Sequence, residues 1–337
     1  MASDLLAIGA RGLHGDQRYQ LIVIFDDSSD TVILIPPITK EVQMIVITGA
    51  TGAFGSAVVR ELLHKIPANE LSVSVRDPAK VRGLPEHGVR VRRGDFGDPA
   101  SLTAAFEGAD RVLVTSVDSL GERAVAQHSS AARAAADVGA GRVFYTAHQN
   151  TAIDSPFAAA PDHGATEERI AEIGVPWTSL RNGFYAHIVG QLIHGATETG
   201  ELALPEDGPV SWTSRDDLAA GAAVLLAAGI AGNDGPVFDG PTPPLTVPEA
   251  VTFDDIAYLI SDITGKLIRR TIIGDDDWLH RMTDSGAPEP AARLMLGMFQ
   301  AARRGDFATT DPALGELIGR QPQTIRATLA SLLGTSR

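Results

Sequence analysis

Cysteine is absent from all 337 residues. Its absence excludes a disulfide framework, a thiolate-bound metal and a cysteine nucleophile, so any redox chemistry has to come from a bound cofactor. Positive charge is scarce as well: 28 Lys and Arg stand against 42 Asp and Glu, a net −14. No extended basic stripe occurs, which argues against a nucleic acid or other polyanion as partner. Long apolar runs are also missing. The longest, around residues 222–231, is far short of the roughly 20 residues that span a bilayer, and the first residues lack a basic segment followed by an apolar core. The expectation is a soluble, cytoplasmic protein with no membrane partner. The nine histidines show neither HxxEH nor HExxH spacing, and Asp275-Asp-Asp277 reads as an acid-enriched helix start, so no metal is expected.

Glycine, by contrast, is plentiful, and three of the 34 carry the strongest signal in the chain. The stretch Ile45-Val-Ile-Thr-Gly-Ala-Thr-Gly-Ala-Phe-Gly55 is an apolar strand that breaks into GxxGxxG. Apolar residues then recur with helical period at Ala57, Val58, Val59, Leu62 and Leu63. In such a turn Gly49 makes the tight bend, Gly52 lets the backbone approach a pyrophosphate, and Gly55 lets the helix pack on its strand. The phosphates rest on the free N–H groups and the positive end of the helix dipole. Residues 49–55, including Ala50, Thr51, Ala53 and Phe54, are therefore the expected dinucleotide loop.

From Met44 strands are expected near residues 45–48, 71–75, 89–93, 111–115, 143–146 and 177–180, separated by helical patterns. That repeated order predicts an α/β fold, a Rossmann-type doubly wound parallel sheet covered on both faces, with a smaller mixed C-terminal substrate lobe. The alanine-rich run at 121–138, ended by Gly139 and Gly141, leads into the fifth strand. Beyond Leu180 we expect a helix near 216–228 capped by Ser214, a short strand at 236–239 and a Pro-rich linker at 241–248. A helix at 253–264, a strand near 267–273 and helices near 275–284, 288–302 and 322–333 follow. Arg269, Arg270, Arg303 and Arg304 there read as solvated surface. The division expected is residues 44–180 for the nucleotide-binding core and 181–337 for a substrate lobe interleaved with it. Residues 1–43 fit the pattern poorly: two apolar runs flank Asp26-Asp-Ser-Ser-Asp30, so this segment is either an edge hairpin or an upstream extension with a misassigned start.

Further chemistry is expected at the carboxyl ends of the strands, where such sheets bind their ligands. An NAD-preferring fold would carry an acid after the second strand; Arg76 stands there, followed by Lys80. Two cations favour a 2′-phosphate through charge-assisted hydrogen bonds and guanidinium stacking on adenine, so NADPH is preferred to NADH. Asp95 can accept from the adenine amino group with Phe96 lining the ring. Thr115, Ser116 and the set Tyr145, Thr146 and His148 border the nicotinamide half.

Taken together, residues 44–52 (Met-Ile-Val-Ile-Thr-Gly-Ala-Thr-Gly), 75–80 (Val-Arg-Asp-Pro-Ala-Lys), 94–98 (Gly-Asp-Phe-Gly-Asp), Tyr145-Thr146, His163 with Thr166-Glu167 at a helix start, and 180–185 (Leu-Arg-Asn-Gly-Phe-Tyr) resemble the NmrA-like atypical short-chain dehydrogenases. Within that group the chain is most similar to the type-2 NAD(P)H:quinone oxidoreductases, over about residues 44–335. The resemblance implies that residues 49–54, Arg76, and Leu180, Asn182, Gly183, Phe184 and Tyr185 border NADPH. It also implies that a quinone or similar flat aromatic electrophile takes the hydride. Where many quinone reductase relatives carry Lys after the helix Thr, this chain has Glu168.

Conventional short-chain dehydrogenases lower a tyrosine pKa with a lysine four residues on. None of Tyr19, Tyr145, Tyr185 or Tyr258 has such a lysine, so ordinary alcohol dehydrogenation is disfavoured. Quinone reduction needs orientation more than acid–base machinery. Tyr185, Phe184 and Tyr145 are candidate walls; His163, Asn182 and His148 are candidate donors to the oxyanion. His163 stands eleven residues before Gly174, the distance at which related aryl-ether reductases carry a catalytic lysine, and the resemblance thereby makes it a proton donor. His163 and Tyr185 are the catalytic candidates. The alternative is a non-catalytic dinucleotide redox sensor that grips a regulatory protein, and a homodimer is left open.

Overall fold

The computed structural model describes residues 20–26, 29–35 and 43–334, except Arg82 and Ala231. Strands β1 (Gln20–Asp26) and β2 (Ser29–Ile35) pair antiparallel, with Asp26 opposite Ser29. From Gln43 onward the chain clusters as one unit.

That unit is built on a parallel sheet of seven strands in the order β10-β8-β7-β6-β3-β4-β5. The strands are β3 (Met44–Thr48), β4 (Leu71–Val75), β5 (Arg90–Arg93), β6 (Ala109–Val114), β7 (Arg142–His148), β8 (Trp177–Asn182) and β10 (Gly240–Pro241). β9 (Glu201–Leu204) and β11 (Arg269–Ile272) form a separate parallel pair. The helices in the first half are α1 (Ala53–Leu63), α2 (Gly83–Glu86), α3 (Pro99–Phe106), α4 (Glu122–Asp137) and α5 (Ala159–Ile173). There follow α6 (His187–Leu192), α7 (Ala196–Thr199), α8 (Arg215–Ala227), α9 (Phe253–Thr264), α10 (Asp275–Asp284), α11 (Glu289–Arg303), α12 (Ala313–Ile318) and α13 (Ile325–Leu332).

The residue pattern explains the layering. Every residue of β3 and β4 is buried, as a central parallel strand covered on both faces requires. On one face α1 buries Phe54, Val58 and Leu62 at a spacing of four, together with α8 and α12. On the other, α3, α4 and α5 cover the sheet, and the small side chains Ala131, Ala132, Ala134 and Ala135 let α4 approach closely. A third cluster joins Phe184, Trp212, Phe253, Phe299 and Phe307 around the second sheet. α8 and β10 return from the C-terminal half to the main sheet and its cover, so that half is interwoven with the core.

Three expectations are corrected here. The short strand lies at Gly240–Pro241 rather than at 236–239, because the Phe238 carbonyl is taken by side chains, Arg142 Nη1 at 2.8 Å and Thr178 Oγ1 at 2.5 Å. Arg270 is not solvated surface: its guanidinium is buried, donates to the Leu204 carbonyl at 2.8 Å and pairs with Asp207 at 3.3 Å. His163, Thr166 and Glu167 lie inside α5 rather than at its start. No helix among the described residues is long and apolar enough to cross a membrane.

Candidate active site

A cavity of about 630 Å³ opens along the carboxyl ends of the main-sheet strands, within the usual size range of small-molecule sites. From the expected set, Gly49, Thr51, Gly52, Ala53, Phe54, Gly55, Arg76, Asp95, Phe96, Thr115, Ser116 and Tyr185 line it. Gly49 has φ +65°, a conformation that costs glycine little. A Cβ on Gly55 would come within 2.4 Å of the Gly49 carbonyl oxygen, so only glycine lets α1 start against the turn. No side chain caps α1 at Gly52, which leaves its first N–H groups for an anion. At the β4 end Arg76 is exposed and has no carboxylate partner among the described residues. Beyond β5, Asp95 accepts the Gly97 N–H at 2.9 Å through Oδ1. These residues fit a dinucleotide phosphorylated on its ribose: free amides for the pyrophosphate, an unpaired guanidinium for the 2′-phosphate.

The segment after β6 is pegged at three successive amides. The Thr115 N–H donates to Thr48 Oγ1 at 2.8 Å, Ser116 N–H to Thr146 Oγ1 at 2.8 Å, and Val117 N–H to His128 Nε2 at 2.9 Å. Thr146 thus stands behind the cavity lining rather than in it. Since His128 Nε2 accepts, its proton sits on Nδ1, 3.2 Å from both Tyr145 Oη and Thr166 Oγ1. The Tyr145 hydroxyl lies 2.7 Å from His163 Nδ1 and donates to it, which puts the His163 proton on Nε2. Burial holds His128 down to about 3 and His163 to about 4, and pushes the Tyr145 phenol up, so the whole chain of groups is neutral at pH 7. His163 is accordingly a neutral hydrogen-bond donor and not an imidazolium acid, and it does not line the cavity.

At the far side Tyr185 stacks on Phe54 with ring centroids 6.5 Å apart. Burial pushes its phenol up to about 12, with Arg215 and Asn182 acting in the opposite direction. Of residues 180–185, only Tyr185 reaches the cavity. Leu180, Asn182 and Phe184 are buried behind it. A Cβ on Gly183 would come within 2.3 Å of Thr213 Oγ1, which gives that glycine a packing role. Arg181 pairs with the buried Glu167 at 2.7 Å. Ala50 is likewise buried, and Lys80 is exposed on a 3-10 turn (Pro78–Val81) outside the lining. Tyr145 is fully buried, and His148 is enclosed by Phe157, Phe184 and Phe307 with its pKa held to about 3 by burial. Neither forms a cavity wall.

A family profile described as NmrA-like family matches residues 41–318. The chain belongs to the NmrA-like family. Among NmrA-like and other relatives, it is 31% identical to quinone oxidoreductase 2 of Escherichia coli (strain K12), over 87% of this chain and 100% of that protein. It is 30% identical to an NAD(P)H azoreductase of Xenophilus azovorans, over 83% of this chain and 95% of that protein. The crystal structure of an NADPH-dependent quinone oxidoreductase of Escherichia coli complexed with NADPH superposes with a TM-score of 0.78 at 30% identity, covering 86% of this chain and 100% of that one.

Sequence reasoning missed residues that this NmrA-like chain brings to the same place: Val117, Asp118, Ser119, Arg123, Gln127, His187, Ile188 and Arg215 in the lining, and His128 behind it. One signal could have found His128, a histidine on the alanine face of α4. Arg215 gives no such signal, because one residue after an N-cap is an ordinary place for a solvated arginine.

Proposed function

We propose that this chain is an NADPH-dependent oxidoreductase that passes hydride to a quinone or a similar flat aromatic electrophile. The observation that carries the reading is that one cavity joins the glycine turn, the unpaired Arg76 and the stacked Tyr185–Phe54 wall. Relatives named for reducing a quinone and an azo compound support it.

In this reading the free amides at the start of α1 bind the pyrophosphate, Arg76 grips the 2′-phosphate, and Asp95 and Phe96 hold the adenine. Thr115 and Ser116, fixed by Thr48 and Thr146, carry the floor of the nicotinamide half. Bound NADPH supplies the hydride. Tyr185 gives a flat wall that orients the acceptor and excludes water, and its high pKa keeps it a hydrogen-bond donor rather than a proton source. The second proton of the hydroquinone comes from water, because the anion left by hydride addition is delocalised and weakly basic. His163, the other candidate donor, stands outside the cavity lining with its Nδ1 engaged by Tyr145, so it gives the acceptor no direct contact.

The test is oxidation of NADPH at 340 nm by the purified protein across quinones and azo dyes, beside a cofactor-binding titration. Turnover on at least one class is expected. Tight binding with no turnover on any acceptor would replace this reading by a dinucleotide sensor.

A further inference from the structure

The cofactor accounts for one end of the cavity, and two cations at the other end are left without a task. The sheet order places the adenine half over β3, β4 and β5, whereas β6, β7 and β8 lie on the nicotinamide side. Tyr185 follows β8, and Arg215 sits over its ring, the guanidinium carbon 5.6 Å from the centroid. Arg123, in the first turn of α4 after β6, lines the same cavity. Neither arginine has a carboxylate within ion-pair distance among the described residues; Asp216, next to Arg215, pairs with Arg60 instead. Asp118 is the carboxylate on this half of the lining, so two positive charges face one negative charge.

Arg215 is also held in place. His187 Nε2 lies at hydrogen-bond distance from its Nη2, and a guanidinium can only donate, so the imidazole accepts and is neutral. Partial burial, with Arg215 beside it, lowers the His187 pKa and agrees with that state. One N–H is taken by His187 and the face by Tyr185; the remaining N–H groups of the fork have no acceptor among the described residues. A partly buried, oriented and unpaired guanidinium in a chain of net charge −14 is a binding group for an anion. The pyrophosphate does not need it, since the uncapped start of α1 serves there.

We propose that Arg215, oriented by His187 and Tyr185 and assisted by Arg123, is a subsite for an anionic substituent, a carboxylate or sulfonate, on the flat aromatic acceptor. The inference rests on the reductase reading above. It assigns the acceptor class more narrowly: an aromatic electrophile with an acidic group a ring's width from the carbon that receives hydride.

The test compares 1,2-naphthoquinone with 1,2-naphthoquinone-4-sulfonate as acceptors. For Arg215→Gln the ratio of kcat/KM for the sulfonate to that for the neutral quinone should fall about tenfold, the effect of a charge-assisted hydrogen bond at a partly exposed site. Arg215→Lys should restore part of it. An unchanged ratio would overturn the proposal. So would a rise in the NADPH Kd that matches the loss, which would assign Arg215 to the cofactor. Calorimetric titration of the NADP+-saturated protein with naphthalene-2-sulfonate needs no turnover. About tenfold weaker binding to Arg215→Gln than to the parent is expected there, even if the parent reduced no quinone and the reductase reading failed. Equal binding by the two proteins would sink the subsite alone.

Discussion

At the scale of residues, the decisive feature is a cation where an acid would select NAD. Arg76 has no carboxylate partner among the described residues, so its interaction energy is available to a 2′-phosphate. Arg76→Glu should lower the ratio of NADPH to NADH affinity by about tenfold to a hundredfold, since a charge-assisted contact is replaced by repulsion. Fluorescence titration with each cofactor measures it, and an unchanged ratio would show that the phosphate sits elsewhere. A second residue-scale consequence concerns Tyr145, which links His128 to His163. Tyr145→Phe strands the His163 Nδ1 acceptor in a buried setting and should cost about 1–3 kcal/mol in urea unfolding. No loss of stability would mean the hydroxyl is dispensable to the pair.

At the scale of elements, β3, the turn and α1 were legible because each step is local: an apolar run, glycines at fixed spacing, then apolar residues at helical period. Gly55→Ala tests that joint. The new methyl meets Gly49 backbone rather than a side chain that can turn away, so α1 must shift from β3, and about 1–3 kcal/mol of stability should be lost together with most cofactor affinity. Wild-type affinity in that variant would contradict the turn's assigned role. The segment 180–185 was legible as a motif but not residue by residue. Its strand is covered on both faces, so Leu180 and Asn182 are buried and Tyr185 alone, past the strand end, turns into the cavity. β9 was missed because four residues carry too little period, and its partner β11 lies far along the chain. His128 was missed for the same reason of range, its meaning arising only when α4 packs beside β7 and α5.

The helix layer over β7 also sets a pH response. His128, His148 and His163 are held below the usual imidazole pKa by burial, to about 3, about 3 and about 4. With the folded pKa depressed, the unfolded chain takes up protons first. The stability these neutral rings contribute is therefore complete above about pH 6.5 and is lost as pH falls from there toward 4, by up to about 1.4 kcal/mol per pH unit for each ring. Urea midpoints taken from pH 7.5 to 5 should decline steadily below 6.5. A flat profile over that window would show that these rings protonate without unfolding the layer.

At the scale of the whole molecule, the described residues that line the cavity run from Gly49 onward, and the NmrA-like match begins at residue 41. Those lining residues all belong to the unit that starts at Gln43. The cavity joins the glycine turn and Arg76 to an aromatic end where the Tyr185 phenol has a high pKa and Arg123 and Arg215 have no carboxylate partner among the described residues. That division suits hydride transfer to an acceptor whose product stabilises its own negative charge.

The most direct measurement mixes the protein loaded with NADPH, deuterated or not at the transferring C4 position, with a naphthoquinone in the absence of oxygen. Absorbance at 340 nm should fall with one hydroquinone formed per NADPH, and more slowly with the deuterated cofactor. Oxidation no faster than that of NADPH alone in buffer, from protein that binds the cofactor tightly, would contradict it.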